Sequence, residues 1–107
     1  MKLPQCSLVA CLAVVTLGGT APSRADTIRI VIDKLLYAPA AITAAVGDTI
    51  EWVNRDALDH TATVTGDWEV MVPTDETATL TLKKGGSIEY FCRFHPNMTG
   101  RINVNAK

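Results

Sequence analysis

SIEYFCRFHPNMTGRINVN, residues 87–105, is the stretch that decides the fold of this chain. Apolar and polar residues alternate on both sides of its centre. The apolar members that share a face are Ile88, Tyr90, Cys92, Ile102 and Val104. A period of two is typical of half-buried strands, so the pattern predicts strands at residues 87–91 and 101–105, joined by a loop.

The same alternation continues through most of the chain from Asp26 onward. Its apolar members include Ile28, Ile30, Ile32, Ile50, Trp52, Ala78, Leu80 and Leu82. Glycine-containing turns such as Gly47-Asp48 and Gly85-Gly86 separate the runs. Short alternating strands between turns predict an all-β antiparallel sandwich. Residues 35–45 are rich in alanine, but Pro39 argues against a regular helix there.

The N-terminal segment has a different composition from the rest of the chain. Lys2 precedes the apolar run LVACLAVVTL at residues 8–17, and Ser23-Arg24-Ala25 offers small residues at a cleavage site. This pattern predicts a signal peptide, residues 1–25, removed after Ala25 to leave one domain, residues 26–107. A membrane anchor is disfavoured because the run is shorter than the roughly 20 residues that span a bilayer. Lipidation at Cys11 is a further, less favoured alternative.

Charge excludes some classes of partner. The chain carries 10 Lys and Arg against 11 Asp and Glu. Loss of Lys2 and Arg24 with the signal peptide leaves a mildly acidic domain, which gives no reason to expect binding to nucleic acid or to an anionic membrane.

Cysteine content points to a special role for one residue. Of the three cysteines, Cys6 and Cys11 lie in the predicted signal peptide, so Cys92 is alone in the predicted domain. It cannot form an internal disulfide there. A lone cysteine in an exported protein is buried, reactive or bound to something.

The loop after Cys92 brings together groups that bind metal. Cys92, His95 and Met98 place a thiolate, an imidazole and a thioether within seven residues, and His60 is the one other histidine of the chain. A thiolate, two imidazoles and a weak thioether suit copper, which alternates between soft Cu(I) and harder Cu(II). The sequence therefore predicts one copper ion held by these four residues.

Each ligand also has an ordinary structural explanation. His60 alone suits a solvated loop, while Cys92 and Met98 alone suit a hydrophobic core. For Met71 we adopt that explanation and predict a core residue. Zinc is the competing metal, but structural zinc normally takes four Cys or His ligands, and the carboxylate of Asp59 beside His60 is weak evidence for a catalytic base.

These residues resemble the cupredoxins across the whole predicted domain. The matching motifs, in order, are Tyr37-Ala38-Pro39, VGDTIEWVN at residues 46–54, His60, and YFCRFHPNMTG at residues 90–100. The compact spacing of the ligand loop is similar to that of the amicyanins, whereas plastocyanins and pseudoazurins have longer loops. One departure is Thr61, because the family often has an asparagine after its first histidine that bonds across to the ligand loop.

The resemblance implies a Greek-key β-sandwich with a single type 1 copper and no catalytic residues. It implies an electron carrier, not an enzyme, in which His60 is the interior ligand, Met98 the long axial contact and His95 the ligand nearest solvent. We expect a periplasmic monomer that exchanges electrons by outer-sphere transfer with redox proteins docked briefly near His95. A module for copper delivery or storage is the alternative, but the chain lacks the cluster of exposed Met or His residues typical of such proteins.

Overall fold

A computed structural model describes residues 24–106, which form nine strands and no helix. The prediction of a signal peptide at residues 1–25 lies almost wholly outside these described residues. The strands are β1 (Thr27–Asp33), β2 (Leu36–Ala38), β3 (Ala41–Ala45), β4 (Thr49–Asn54), β5 (His60–Val64), β6 (Trp68–Val72), β7 (Thr77–Thr81), β8 (Gly86–Cys92) and β9 (His95–Asn105). Within the described part of the chain, no helix is long and apolar enough to cross a membrane.

The strands form two sheets that enclose one core. One sheet has the order β2-β1-β4-β7 and the other the order β3-β9-β8-β5-β6. The prediction of an all-β sandwich is confirmed. The prediction that it is antiparallel throughout is wrong, because β1 pairs with β4, and β3 with β9, in parallel. Between β1 and β4 the chain passes through β3 in the other sheet, and β3 and β9 are likewise separated by strands of both sheets. Parallel neighbours need such crossover connections, because a tight hairpin can join only antiparallel strands.

The core lies between the alternating inner faces that the sequence predicts. Its fully buried side chains include Ile30, Ile32, Ile50, Trp52, Tyr90 and Ile102. Trp52 Nε1 donates a hydrogen bond to Tyr90 Oη at 3.3 Å, and the Tyr37 and Tyr90 rings meet edge to face at 4.7 Å between centroids. Burial raises the pKa of Tyr90 to about 12, so its hydroxyl is protonated at neutral pH.

Two segments clarify the limits of the pattern. Residues 35–45 form β2 and β3, in agreement with the prediction that they contain no regular helix. Met71 is not a core residue, and that prediction is wrong: 45% of it is exposed, whereas Val72 beside it is fully buried. Because β6 is the edge strand of its sheet and side chains alternate between faces, Met71 points to solvent and Val72 to the core.

Candidate metal centre

The segment that carries the predicted ligands is a tighter hairpin than the sequence predicts. Cys92 is the last residue of β8 and His95 the first of β9, so only Arg93 and Phe94 lie between the strands. Cys92 pairs directly with His95, after an irregularity in register between Phe91 and Cys92. The thiol and the imidazole are therefore held by the ends of two hydrogen-bonded strands, which position side chains more accurately than a free loop does.

The third donor, His60, lies on a neighbouring strand. His60 begins β5, which lies next to β8 in the same sheet. The Cys92 Sγ atom lies 3.6 Å from Nδ1 of His60 and 3.6 Å from Nδ1 of His95. The donor atoms of all three residues lie within 4.8 Å of one another.

These separations fit a shared metal ion. First-row ions bind sulfur at about 2.3 Å and imidazole nitrogen at about 2.0 Å, and ligands 110–120° apart are then about 3.6 Å from each other. One ion can therefore bind all three donors with little movement of the protein. The soft thiolate beside two imidazoles suits copper, so His60, Cys92 and His95 form a possible copper-binding site.

Burial differs among the four predicted ligands. Cys92 and His60 are fully buried, Met98 is nearly so, and His95 is half-buried. Met98 lies three residues after His95 on β9, and its role as a ligand stays a prediction. His95, Pro96, Asn97 and Met98 line a surface hollow of about 510 Å³ together with Lys34, Leu35 and Leu36.

A carboxylate that no sequence pattern indicates orients His60. Asp56 Oδ2 lies 2.8 Å from His60 Nε2, and the same carboxylate accepts hydrogen bonds from the backbone N–H groups of Lys34 and Leu35. Partial burial raises the pKa of Asp56, but the hydrogen bonds from Leu35, His60 and Lys34 outweigh it and leave the pKa below its usual value. The ionised carboxylate can only accept, so Nε2 of His60 carries the hydrogen and donates a hydrogen bond to Asp56, and the lone pair of Nδ1 is left for a metal.

Asp59 has a different role from the one considered for it. Its Oδ1 accepts a hydrogen bond from the backbone N–H of Thr74 at 2.9 Å. It is Asp56, four residues before His60, that contacts the imidazole. The conformation of the connection between β4 and β5 decides this choice, and no periodic pattern in the sequence indicates it.

Thr61 connects β5 to the ligand hairpin. Its backbone N–H points at Cys92 Sγ, 3.4 Å away, and its Oγ1 accepts a hydrogen bond from the backbone N–H of Arg93 at 2.8 Å. A threonine therefore makes the link across to the hairpin for which the cupredoxins often use an asparagine.

Comparison with known proteins agrees with this arrangement. A family model described as a Cupredoxin-like domain matches residues 6–104. Amicyanin from Paracoccus versutus is 30% identical over 75% of this chain and 66% of its own length, and amicyanin from Paracoccus denitrificans is 33% identical over 70% and 64%. The match thus spans just under two thirds of each relative.

Solved structures show the same similarity. A variant of amicyanin in its Cu(I) form is 30% identical and covers 74% of this chain and 82% of its own, with a TM-score of 0.65. A variant in the oxidised state gives the same TM-score, identity and coverage.

Proposed function

Because this chain belongs to the cupredoxin-like family, we propose that it is an electron carrier with one type 1 copper ion held by His60, Cys92, His95 and Met98. The observation that carries the proposal is the convergence of Cys92 Sγ with two imidazole Nδ1 atoms, each 3.6 Å away. The Cu(I) form of a similar amicyanin structure supports the choice of metal.

The frame around the site suits a change of charge without rearrangement. A bound copper ion would supply the redox chemistry, because it can alternate between Cu(I) and Cu(II). Cys92 and His95 lie at the ends of paired strands, and Asp56 orients His60. These constraints would hold the three donors in one arrangement whatever the charge of a bound ion, so little reorganisation of the ligands would be needed for electron transfer.

His95 is the proposed point of electron entry and exit. It is half-buried, whereas His60 is fully buried, and the exposed side chains of Phe94 and Pro96 flank it. A small apolar surface of this kind suits the brief contacts that redox proteins make over small interfaces. We propose outer-sphere transfer through His95 to docked redox partners, by a monomer without catalytic residues.

Export to the periplasm is the compartment that we propose. Residues 24–26 are exposed and β1 begins after them at Thr27, so all nine described strands lie after the proposed cleavage site at Ala25. The backbone nitrogen of Asp26 lies 2.9 Å from Asp48 Oδ1. After cleavage this nitrogen becomes a charged terminal amine. A charged amine binds a carboxylate more strongly than a neutral backbone amide does. The contact between this nitrogen and Asp48 therefore supports a mature chain that starts at Asp26.

Addition of cupric ion to the purified, metal-free protein tests the proposal. We expect intense visible absorption that saturates at one ion per chain and disappears with ascorbate, because a thiolate bonded to Cu(II) transfers charge to it. A protein that stays colourless with cupric ion and retains zinc instead would contradict the proposal.

Met98→Leu tests the axial ligand separately. Removal of a weak thioether donor leaves the three strong ligands, so we expect copper and colour to remain. The reduction potential should rise by about 60 mV or more, equivalent to a tenfold change for a one-electron couple, because Cu(II) loses a donor and the site becomes more apolar. Voltammetry of the variant measures the shift. Loss of copper would show that Met98 is a required ligand and not a weak axial one, and an unchanged potential would show that it is not a ligand.

A further inference from the structure

A chain of hydrogen bonds leads from the ligand hairpin to the surface behind Cys92. The backbone N–H of Arg93 donates to Thr61 Oγ1 at 2.8 Å. Thr61 Oγ1 lies 2.8 Å from Thr63 Oγ1, and Thr63 Oγ1 donates to Glu69 Oε1 at 2.9 Å. Both threonines are buried, and Glu69 lies on the neighbouring strand β6 at the surface.

The carboxylate of Glu69, at the surface end, decides which group donates in each hydrogen bond of the series. An ionised carboxylate can only accept, so the one hydroxyl hydrogen of Thr63 goes to Glu69. Thr63 must then accept from Thr61, which uses its own single hydrogen. The lone pairs of Thr61 are thereby left for the N–H of Arg93. Aligned bonds of this kind strengthen one another in a buried setting.

The side chain of Arg93 binds Glu69 and so closes the series of hydrogen bonds into a ring. Its Nε and Nη2 atoms bind the two carboxylate oxygens of Glu69, each at 2.9 Å. These bonds, together with that from Thr63, hold the pKa of Glu69 below its usual value, so the carboxylate is ionised at neutral pH. The same guanidinium lies 4.8 Å from the ring centre of Phe94, the other residue of the hairpin turn.

We propose that Thr63, Glu69 and the Arg93 side chain are positioning residues that, through Thr61, hold the hairpin turn and with it Cys92 and His95. A threonine has one hydrogen where an asparagine amide has two, and the carboxylate of Glu69 supplies the orientation that the shorter side chain lacks. The effect on a metal rests on the proposed function, whereas the effect on the hairpin backbone does not.

The test compares two variants, each of which disrupts a different hydrogen-bonding group of the ring. Thr63→Val removes the buried hydroxyl and keeps the side-chain shape, and Glu69→Gln replaces the acceptor by an amide that can also donate. In the metal-free protein, hydrogen exchange of the Arg93 amide, followed by NMR, should accelerate about tenfold or more in each variant, the factor that matches one lost hydrogen bond. In the copper-loaded protein, the reduction potential should shift in the same direction in both.

Two controls separate positioning from general damage. Glu89→Gln alters another exposed Arg–Glu pair, with Arg101 at 2.6 Å, and should change neither the exchange nor the potential. Thr63→Ser restores the hydroxyl and should return both toward the values of the unaltered protein.

The proposal would be overturned if the Arg93 amide exchanged no faster in Thr63→Val and Glu69→Gln than it does in the control Glu89→Gln. If Thr63→Val does not fold, the surface substitution Glu69→Gln decides alone. If the unaltered protein does not colour with cupric ion, the proposed function fails, but the exchange measurements on metal-free protein still decide whether the ring holds the hairpin.

Discussion

Cys92→Ser is expected to abolish the visible absorption of the cupric protein and to weaken cupric binding by at least about a hundredfold, since even an outer partner of a metal ligand is worth 10- to 100-fold. A serine hydroxyl is neutral at pH 7 and is not a soft, charge-donating ligand. Without the thiolate, only His60, His95 and the thioether of Met98 remain of the four proposed donors.

Titration with cupric ion, followed by absorption and calorimetry, measures the effect. The serine differs from cysteine by one atom and can still accept from the N–H of Thr61, which lies 3.4 Å from the sulfur in the unaltered protein. We therefore expect the fold to persist, and circular dichroism of the metal-free variant checks this. Met98→Leu is the matched control, because it removes the other sulfur and should keep the colour. A serine variant as strongly coloured as the unaltered protein would refute the assignment of Cys92.

Gly100→Ala is expected to lower the free energy of unfolding by about 3 kcal/mol, at the upper end of the usual range for an overpacked core. Gly100 is buried on β9 opposite Tyr90 on β8. The Cβ atom of an alanine at this position would overlap Cζ of Tyr90 and lie 2.5 Å from its Oη. Tyr90 has little room to yield, because the rings of Tyr37 and Trp52 pack against it at 4.7 and 5.7 Å between centroids.

Urea denaturation of the metal-free protein measures this loss without a contribution from metal binding. Gly85→Ala is the control, because Gly85 likewise has no positive φ, and the atoms nearest to its added Cβ are at 3.3 Å. We expect it to cost clearly less than Gly100→Ala. Equal midpoints for the two variants would show that Tyr90 moves aside freely and that the contact is not a constraint.

The sequence alone was enough for the features that depend on near neighbours along the chain. Strand faces follow from a period of two, and the sandwich prediction is confirmed by strands such as β1 and β4, whose Ile30, Ile32, Ile50 and Trp52 point inward. Cys92 and His95 lie so close in sequence that any turn between their strands brings them together. His60 could be chosen because the chain has no other histidine to complete the set.

Tertiary structure decided what depends on strand order and on the paths of the connections. The parallel pairs β1–β4 and β3–β9 arise from crossovers between the two sheets, and Met71 is exposed because β6 lies at an edge. Alternation places Met71 on the face opposite Val72, but the pattern is the same in a central and an edge strand, so it does not show whether that face is covered or which strands pair in parallel.

The side chains that hydrogen-bond to the residues of the metal centre could not be predicted from the sequence pattern either. Asp56, not Asp59, contacts His60, and Glu69 meets Arg93 across 24 residues of chain. Such contacts join polar side chains whose spacing follows no period. Their geometry is set only when β5, β6 and β8 pack side by side. Packing brings Glu69 opposite Arg93 at the surface and buries His60, whose Nε2 must then find its partner within the protein.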